Sequence, residues 1–292
     1  MNHTVCAVMV TYNRLEILKQ TLAHVLDQEY PPTNVIIIDN YSTDGTREYL
    51  EGLLTDTRIK TIHLDKNMGA GYAISQGMKL GLTLRDYDYF WVLDDDSFYK
   101  PNVLRELVAG ISSSTFALVG LTGSNIRFGT KRPVTLTGKL QQVDYALVDG
   151  AIISGDAIKK IGTTCERFFM MCDDDEYIIR LKKHGYTIGL LNIGPVNRLH
   201  LGGQGSFTKA TLWRGYYSSR NQMLILKQYF SLKRLLEYSY LQSKLLIGAA
   251  VFAPDRFQRV KLRITGIWHG IRGVEGKTLD PKSLRFESKS SD

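Results

Sequence analysis

Residues 89–96 read Tyr-Phe-Trp-Val-Leu-Asp-Asp-Asp, a continuous apolar run stopped by three adjacent carboxylates. A short run of that kind, without polar alternation, is the pattern of a strand buried on both faces. Three earlier segments repeat it. Val5 to Val10 ends in Thr11-Tyr12-Asn13-Arg14 and is followed by helical spacing from Leu15 to Leu26. Val35 to Ile38 is closed by Asp39-Asn40-Tyr41-Ser42-Thr43-Asp44-Gly45, after which Thr46 to Leu54 reads as a helix capped by Ser or Asp. Ile59 to Leu64 leads into a turn containing Asn67, Gly69 and Gly71 and a helix through Leu80. Strands alternating with helices predict an α/β fold with a doubly wound, mostly parallel sheet, and such sheets bind ligands beyond the carboxyl ends of their strands. Thr11, Asp39, Asn67 and Asp94 to Asp96 all fall at those ends.

Downstream, from about Thr115 to Ile153, the pattern loosens into short strand-like stretches with turn residues. A second acidic cluster, Asp173-Asp174-Asp175-Glu176, opens the amphipathic segment Tyr177 to Lys183. Ile188 to Ile193 is strand-like, and His200 precedes the loop Gly202-Gly203-Gln204-Gly205. From Thr211 onward the chain is mostly helix-like and basic.

The 292 residues are 43% hydrophobic and 23% charged, an ordinary globular composition that excludes disordered and low-complexity classes. The net charge of +8 is unevenly placed. Through Ser206 there are 21 Lys and Arg against 23 Asp and Glu; beyond it there are 16 against 6. Two regions are expected, 1–206 and 207–292. Cys6, Cys165 and Cys172 form no CxxC pair and no even framework, so a reducing compartment is inferred. No basic and apolar leader opens the chain, and Leu245 to Pro254 is too short to span a bilayer, so a cytoplasmic protein is expected, with any membrane attachment peripheral.

Three adjacent carboxylates at a strand end repel one another unless a cation or several donors sit there. Asp94-Asp95-Asp96 therefore reads either as a site for a hard divalent ion or as a solvated turn. Asp173 to Glu176 reads as favourable charge on a helix N-terminus or as a carboxylate held for proton abstraction. Arg180 stands four residues beyond Glu176, so those two are assigned to an ion pair. His200 can serve as a neutral ligand on the same metal or as an ordinary packed residue. Gly69-Ala70-Gly71 lacks the third glycine of a dinucleotide fingerprint, and GxxxxGK[ST], GxSxG and HExxH are absent.

In order, Val10-Thr11-Tyr12-Asn13-Arg14, Ile38-Asp39-Asn40-Tyr41-Ser42-Thr43-Asp44-Gly45, Asn67-Met68-Gly69-Ala70-Gly71, Leu93-Asp94-Asp95-Asp96 and Asp173-Asp174-Asp175-Glu176-Tyr177 resemble the family 2 glycosyltransferases of GT-A fold. The resemblance covers roughly residues 5 to 225, and within the family it lies near bacterial galactofuranosyltransferases and rhamnosyltransferases. It implies a GT-A nucleotide-sugar-binding and catalytic domain over 1–206 and a basic, mainly helical extension over 207–292. By the resemblance, Thr11, Asp39, Asn67, Asp94 and Asp95 hold the donor, with Asp39 accepting from a pyrimidine N3. Asp96 and His200 hold Mn²⁺ or Mg²⁺, and Asp174 is the catalytic base. Asp149, in Val148-Asp149-Gly150-Ala151, matches an acceptor-side motif or forms a structural turn. Tyr216-Tyr217 and Arg220-Asn221 resemble a segment flanking the active site, which would place some cations against diphosphate.

The implied reaction is an inverting, metal-dependent transfer of a hexose from a nucleotide-sugar donor. UDP-galactofuranose is favoured, with dTDP-rhamnose as the alternative, and the acceptor is a hydroxyl of a growing, lipid-linked bacterial cell-surface glycan. The basic region then faces an anionic membrane, or packs on the catalytic domain or a second subunit of a homo-oligomer. A nucleic-acid-binding protein is the contrary reading of the charge. Acids clustered at strand ends count against nucleic acid as a partner.

Overall fold

A computed structural model describes residues 3–194, 197–199 and 208–287. The first half alternates as the sequence predicts: β1 Val5–Thr11, α1 Leu15–Leu26, β2 Asn34–Asp39, α2 Thr46–Gly52, β3 Ile59–His63, α3 Ala70–Leu84 and β4 Tyr89–Asp94. Shorter elements follow: β5 Ser97–Phe98, α4 Val103–Ser112, β6 Phe116–Gly120, β7 Gly123–Arg127, β8 Thr130–Pro133, β9 Leu140–Gln142, β10 Tyr145–Ala146 and β11 Ile152–Ser154. Then come α5 Gly155–Ile161, α6 Asp173–Lys183, β12 Thr187–Leu191 and β13 Asn197–Arg198. Three long helices close the chain: α7 Leu212–Gln228, α8 Leu232–Phe252 and α9 Arg256–Ile271.

Eight strands form the central sheet in the order β3-β2-β1-β4-β11-β6-β12-β9. The first four are mutually parallel, and β11 runs antiparallel to both β4 and β6. All seven residues of β1 are buried, because successive side chains serve opposite faces. Cys6, Val8 and Val10 pack with Ala73, Ile74 and Met78 of α3 and with Tyr177, Ile178 and Leu181 of α6. Val5, Ala7 and Met9 pack with Leu18, Leu22 and Val25 of α1 and with Leu104 and Leu107 of α4. The result is a helix–sheet–helix sandwich in which the chain winds outward from β1 to β3 and then crosses to β4 on the other side of β1. That reversal sets the carboxyl ends of β1 and β4 side by side, the position at which doubly wound sheets bind ligands.

One local expectation shifts. No Ser or Asp side chain caps α2; its N-cap is Gly45 with φ 88°, and Asp44 instead bonds the Thr46 hydroxyl at 2.6 Å. The acidic cluster forms the first turn of α6, as the helix N-terminus reading expects, and the helix is entered through Met171 and Cys172 in the left-handed region. The C-terminal helices reach the sandwich through residues 165–172. Phe169 packs with Trp213, Tyr216 and Tyr217, and Phe168 with Leu224, Ile225 and Tyr229. The helical region therefore abuts the segment that delivers the second acidic cluster.

Candidate active site

Strand alternation separates the three consecutive aspartates. Asp95 turns to one side, where it accepts the Thr11 hydroxyl at 2.7 Å and Arg14 Nη1 at 2.8 Å. Asp95 and Thr11 are both nearly inaccessible, so these two donor-site candidates are joined to each other. Burial raises the Asp95 carboxyl above its ordinary range, against the pull of Arg14. Asp94 and Asp96 turn to the other side and share the guanidinium of Arg198, whose Nε reaches Asp96 Oδ1 at 3.1 Å and whose Nη2 pairs with Asp94.

Asp149 completes this group. Its carboxylate pairs with Arg198 Nη1 and accepts the backbone N–H of Asp94 at 2.8 Å. Burial, reinforced by Asp149, raises the Asp94 carboxyl well above its usual range; burial likewise raises Asp149, opposed by Arg198. Burial alone would lower Arg198, yet Asp149 and Asp94 hold its pKa above the usual value. One guanidinium thus stands among three carboxylates, and Arg14 Nη1 approaches Asp96 from the other side at 3.7 Å.

Carboxylate oxygens are the ligands that a hard divalent ion takes, and here they already attract a positive charge. Arg198 now holds the position, and among the described residues no group of three His, Cys, Asp or Glu side chains is arranged to bind an ion. Leu199 donates its N–H to the Asp96 carbonyl at 3.0 Å. His200, the next residue, lies outside the described residues.

At the end of β2, Asp39 accepts the N–H of Ser42 at 2.8 Å, and its other oxygen faces His63 Nδ1 at 3.2 Å. Asn40 and Asn67 bond at 3.1 Å, while Asn67 also receives the N–H of Gly69 at 3.0 Å. This ties the turn before α3 to the end of β2.

The four acids of α6 have four surroundings. Asp173 lies beside Gly71, where a Cβ would come within 3.3 Å of its own Cβ. Asp174 accepts the N–H of Val148 at 3.0 Å, with the Tyr145 hydroxyl at 3.5 Å. Asp175 pairs with Lys131 at 2.8 Å. Glu176 is buried and binds Arg180 at 2.8 Å and the Tyr229 hydroxyl at 2.6 Å, as a structural pair should. Burial pushes the Asp174 carboxyl up to about 8, and the adjacent Asp173 adds to the rise. A half-buried carboxylate with a pKa near neutrality suits proton abstraction.

Sequence reasoning missed Arg198 and His63 and left Asp149 between two roles. His63 was readable as the β3 partner of Asp39 once the parallel register was assumed. Arg198 carried no local signal. The cations of the segment resembling an active-site flank do not all face a ligand: Arg220 is fully buried and donates to the Gly276 carbonyl at 2.8 Å and to the Thr278 hydroxyl at 2.9 Å.

A doubly wound sheet with carboxylates gathered at its switch point defines the class of α/β proteins that bind a ligand beyond the carboxyl ends of their strands. Residues 6–176 match the family model described as Glycosyl transferase family 2, more than half of the chain, and the protein belongs to that family. Poly-beta-1,6-N-acetyl-D-glucosamine synthase of Staphylococcus epidermidis is 28% identical over 144 residues, which is 49% of this chain and 33% of that protein. This chain therefore spans about a third of that relative's length. Galactofuranosyltransferase GlfT1 of Mycolicibacterium smegmatis is 28% identical over 216 residues, 65% of this chain and 69% of the relative. Among solved structures, S. aureus TarS superposes with a TM-score of 0.54 at 14% identity, over 86% of this chain and 44% of that one. The mannosyltransferase PcManGT from Pyrobaculum calidifontis, in complex with GDP-Man and Mn²⁺, gives 0.56 at 12% identity, over 97% and 78%. These likenesses show the GT-A fold.

Proposed function

We propose that this family 2 glycosyltransferase moves a hexose from a nucleotide-sugar donor, with inversion, to a hydroxyl of a growing lipid-linked bacterial surface glycan. The observation that carries this reading is the convergence of Asp94, Asp96 and Asp149 on one guanidinium, with Asp174 bonded one residue away at Val148. Asp39 and Asn67 would hold the nucleotide at the strand ends, with Thr11 and Asp95, bonded to each other at 2.7 Å, beside them. Asp96, with Asp94 and His200, would hold Mn²⁺ or Mg²⁺. Bound there, the ion would neutralise the diphosphate and stabilise it as a leaving group.

Asp174 takes the proton of the acceptor hydroxyl. The oxygen bonds to the anomeric carbon as the opposite bond to the diphosphate breaks, through a transition state of oxocarbenium character. No enzyme nucleophile is needed for a single displacement. UDP-galactofuranose is the favoured donor, supported by the similarity to a galactofuranosyltransferase over 65% of this chain; dTDP-rhamnose is the competing donor. A panel of nucleotide sugars, titrated with and without Mn²⁺ or Mg²⁺ by calorimetry, tests this. Metal-dependent binding of UDP-galactofuranose, abolished in Asp96→Ala, is expected; binding of none of the panel would overturn the reading.

A further inference from the structure

The helical hairpin formed by α8 and α9 leaves much of its surface uncovered among the described residues. Of the 21 residues of α8, only Gln242 and Ala249 are fully buried. α9 is firmly seated by its other side, with Leu262, Gly266 and Gly270 against α7; a Cβ on Gly266 would lie 2.3 Å from the Tyr216 carbonyl oxygen. Its outer face carries Phe257, Ile264 and Trp268 at spacings of seven and four residues, one stripe of a helix. α8 presents Ile247 and Val251, and Phe252 and Phe257 flank the three-residue turn between the helices at 76% and 84% exposure. Large apolar side chains exposed together along one helix stripe and at the hairpin tip mark an interaction site.

Its charge selects the partner. Residues 230–273 contain eight Lys and Arg and two Asp and Glu. Lys244, Arg256, Lys261 and Arg272 are exposed, and Lys261 and Arg272 lie within the apolar stripe of α9 itself. A second copy of the same hairpin would bring these cations together, and a nucleic acid would leave the phenylalanines in water. No helix among the described residues is long and apolar enough to cross a membrane.

We infer that the α8–α9 hairpin docks on the surface of an anionic bilayer. Phe252 and Phe257 enter the headgroup boundary at the tip, α9 lies along the surface on its Phe257–Ile264–Trp268 stripe, and the lysines and arginines engage lipid phosphates. This inference is independent of the donor and acceptor assigned above.

The test is flotation of the full-length chain with vesicles of phosphatidylcholine alone or mixed with phosphatidylglycerol, at low and high salt. Binding to the mixed vesicles, weakened by salt and weak or absent on phosphatidylcholine, is expected. Lys261→Glu should weaken partitioning by roughly fivefold or more, and Phe252→Ser with Phe257→Ser by about tenfold or more. Both phenylalanines are exposed, so an unchanged melting temperature should accompany the loss. Trp91 and Trp213 are buried and Trp268 is not, so a blue shift of emission on binding should vanish in Trp268→Phe while flotation persists. Absence of flotation at low salt would overturn the inference, as would normal flotation of the double variant. So would light scattering that shows a dimer which the double variant dissolves.

Discussion

Asp174 accepts the backbone N–H of Val148 at 3.0 Å, and this bond joins the two acidic centres of the molecule. The next residue, Asp149, sends its carboxylate to Asp94 and Arg198. Residues 148 and 149 therefore act as a fixed spacer between Asp174, the proposed base, and the carboxylates that share Arg198. The spacer is itself pinned, because Gly150 donates to the Val92 carbonyl at 2.8 Å and Val92 to that of Ala151 at 3.0 Å.

Asp174→Asn keeps an oxygen able to accept the Val148 N–H but cannot accept a proton from the acceptor. Turnover should fall by about 10² to 10⁴, with donor affinity unchanged. Steady-state rates paired with equilibrium donor binding separate the two. Near-normal turnover would assign the base elsewhere in the cluster.

The same substitution should stabilise the fold, with a pH signature. The Asp174 carboxyl is raised to about 8 by burial, from an ordinary value of 3.8. Between those values the folded state binds a proton that the unfolded chain has released, so stability falls as pH rises through this window. Asparagine carries no such penalty. The melting temperature of Asp174→Asn should exceed that of the parent at pH 8, and the gap should close toward pH 4. A gap independent of pH would mean that burial of the charge is not its cause.

Arg198→Ala removes the one guanidinium shared by Asp94, Asp96 and Asp149. Taking this cation from Asp94 and Asp149, while Asp96 keeps Arg14 at 3.7 Å, should cost about 3 kcal/mol in chelator. Mn²⁺ or Mg²⁺ should restore more stability to this variant than it adds to the parent, in which the ion competes with Arg198. Thermal melts in chelator and in saturating metal check both statements. Equal metal effects on the two proteins would exclude the three carboxylates as the ion's site.

The parts of the site that were legible lie at ends of parallel strands. Buried parallel strands are continuous apolar runs, so Thr11, Asp39 and Asp94 to Asp96 announce themselves where the apolar run stops, and α1 begins and ends where its spacing does. What could not be read comes from antiparallel pairing between distant short segments. Arg198 reaches Asp96 across 102 residues because β13 is only two residues long and pairs with β5. Asp149 reaches Asp94 across 55 residues because β11 inserts antiparallel beside β4. Two- and three-residue strands carry too little periodicity to register in a sequence, and no local pattern marks their partners.

Gly69 occupies a position that tolerates no side chain. Its φ is 91°, and a Cβ would sit 1.8 Å from the carbonyl oxygen of Phe169. That backbone cannot yield, because Phe169 is buried against Tyr217 with ring centroids 5.5 Å apart. Gly69→Ala should cost more than about 3 kcal/mol or prevent folding. Gly138, with nothing within 4 Å of its Cβ position, supplies the control. Gly138→Ala should stay within about 1 kcal/mol of the parent. Urea unfolding of the two variants makes the comparison.

Glu176 stands two residues from Asp174 on the same helix turn, yet its removal should have the opposite sign. Its carboxylate is 2% exposed and is satisfied by Arg180 at 2.8 Å and by the Tyr229 hydroxyl at 2.6 Å. Arg180 spends its remaining donors on the carbonyls of Ile161 and Thr163, each at 2.8 Å, locking the loop before residues 165–172. Glu176→Ala leaves a largely buried guanidinium without its counter-charge and a buried hydroxyl without its acceptor. The expected cost is about 3 to 5 kcal/mol, seen as a lower urea midpoint at unchanged slope. Because Tyr229 and Phe168 share the cluster that seats α7, that loss should loosen the helical region first. Amide exchange should therefore accelerate in α7 before it does in β1 or β4. Uniform acceleration across sheet and helices would show that the ion pair holds the whole fold rather than this junction.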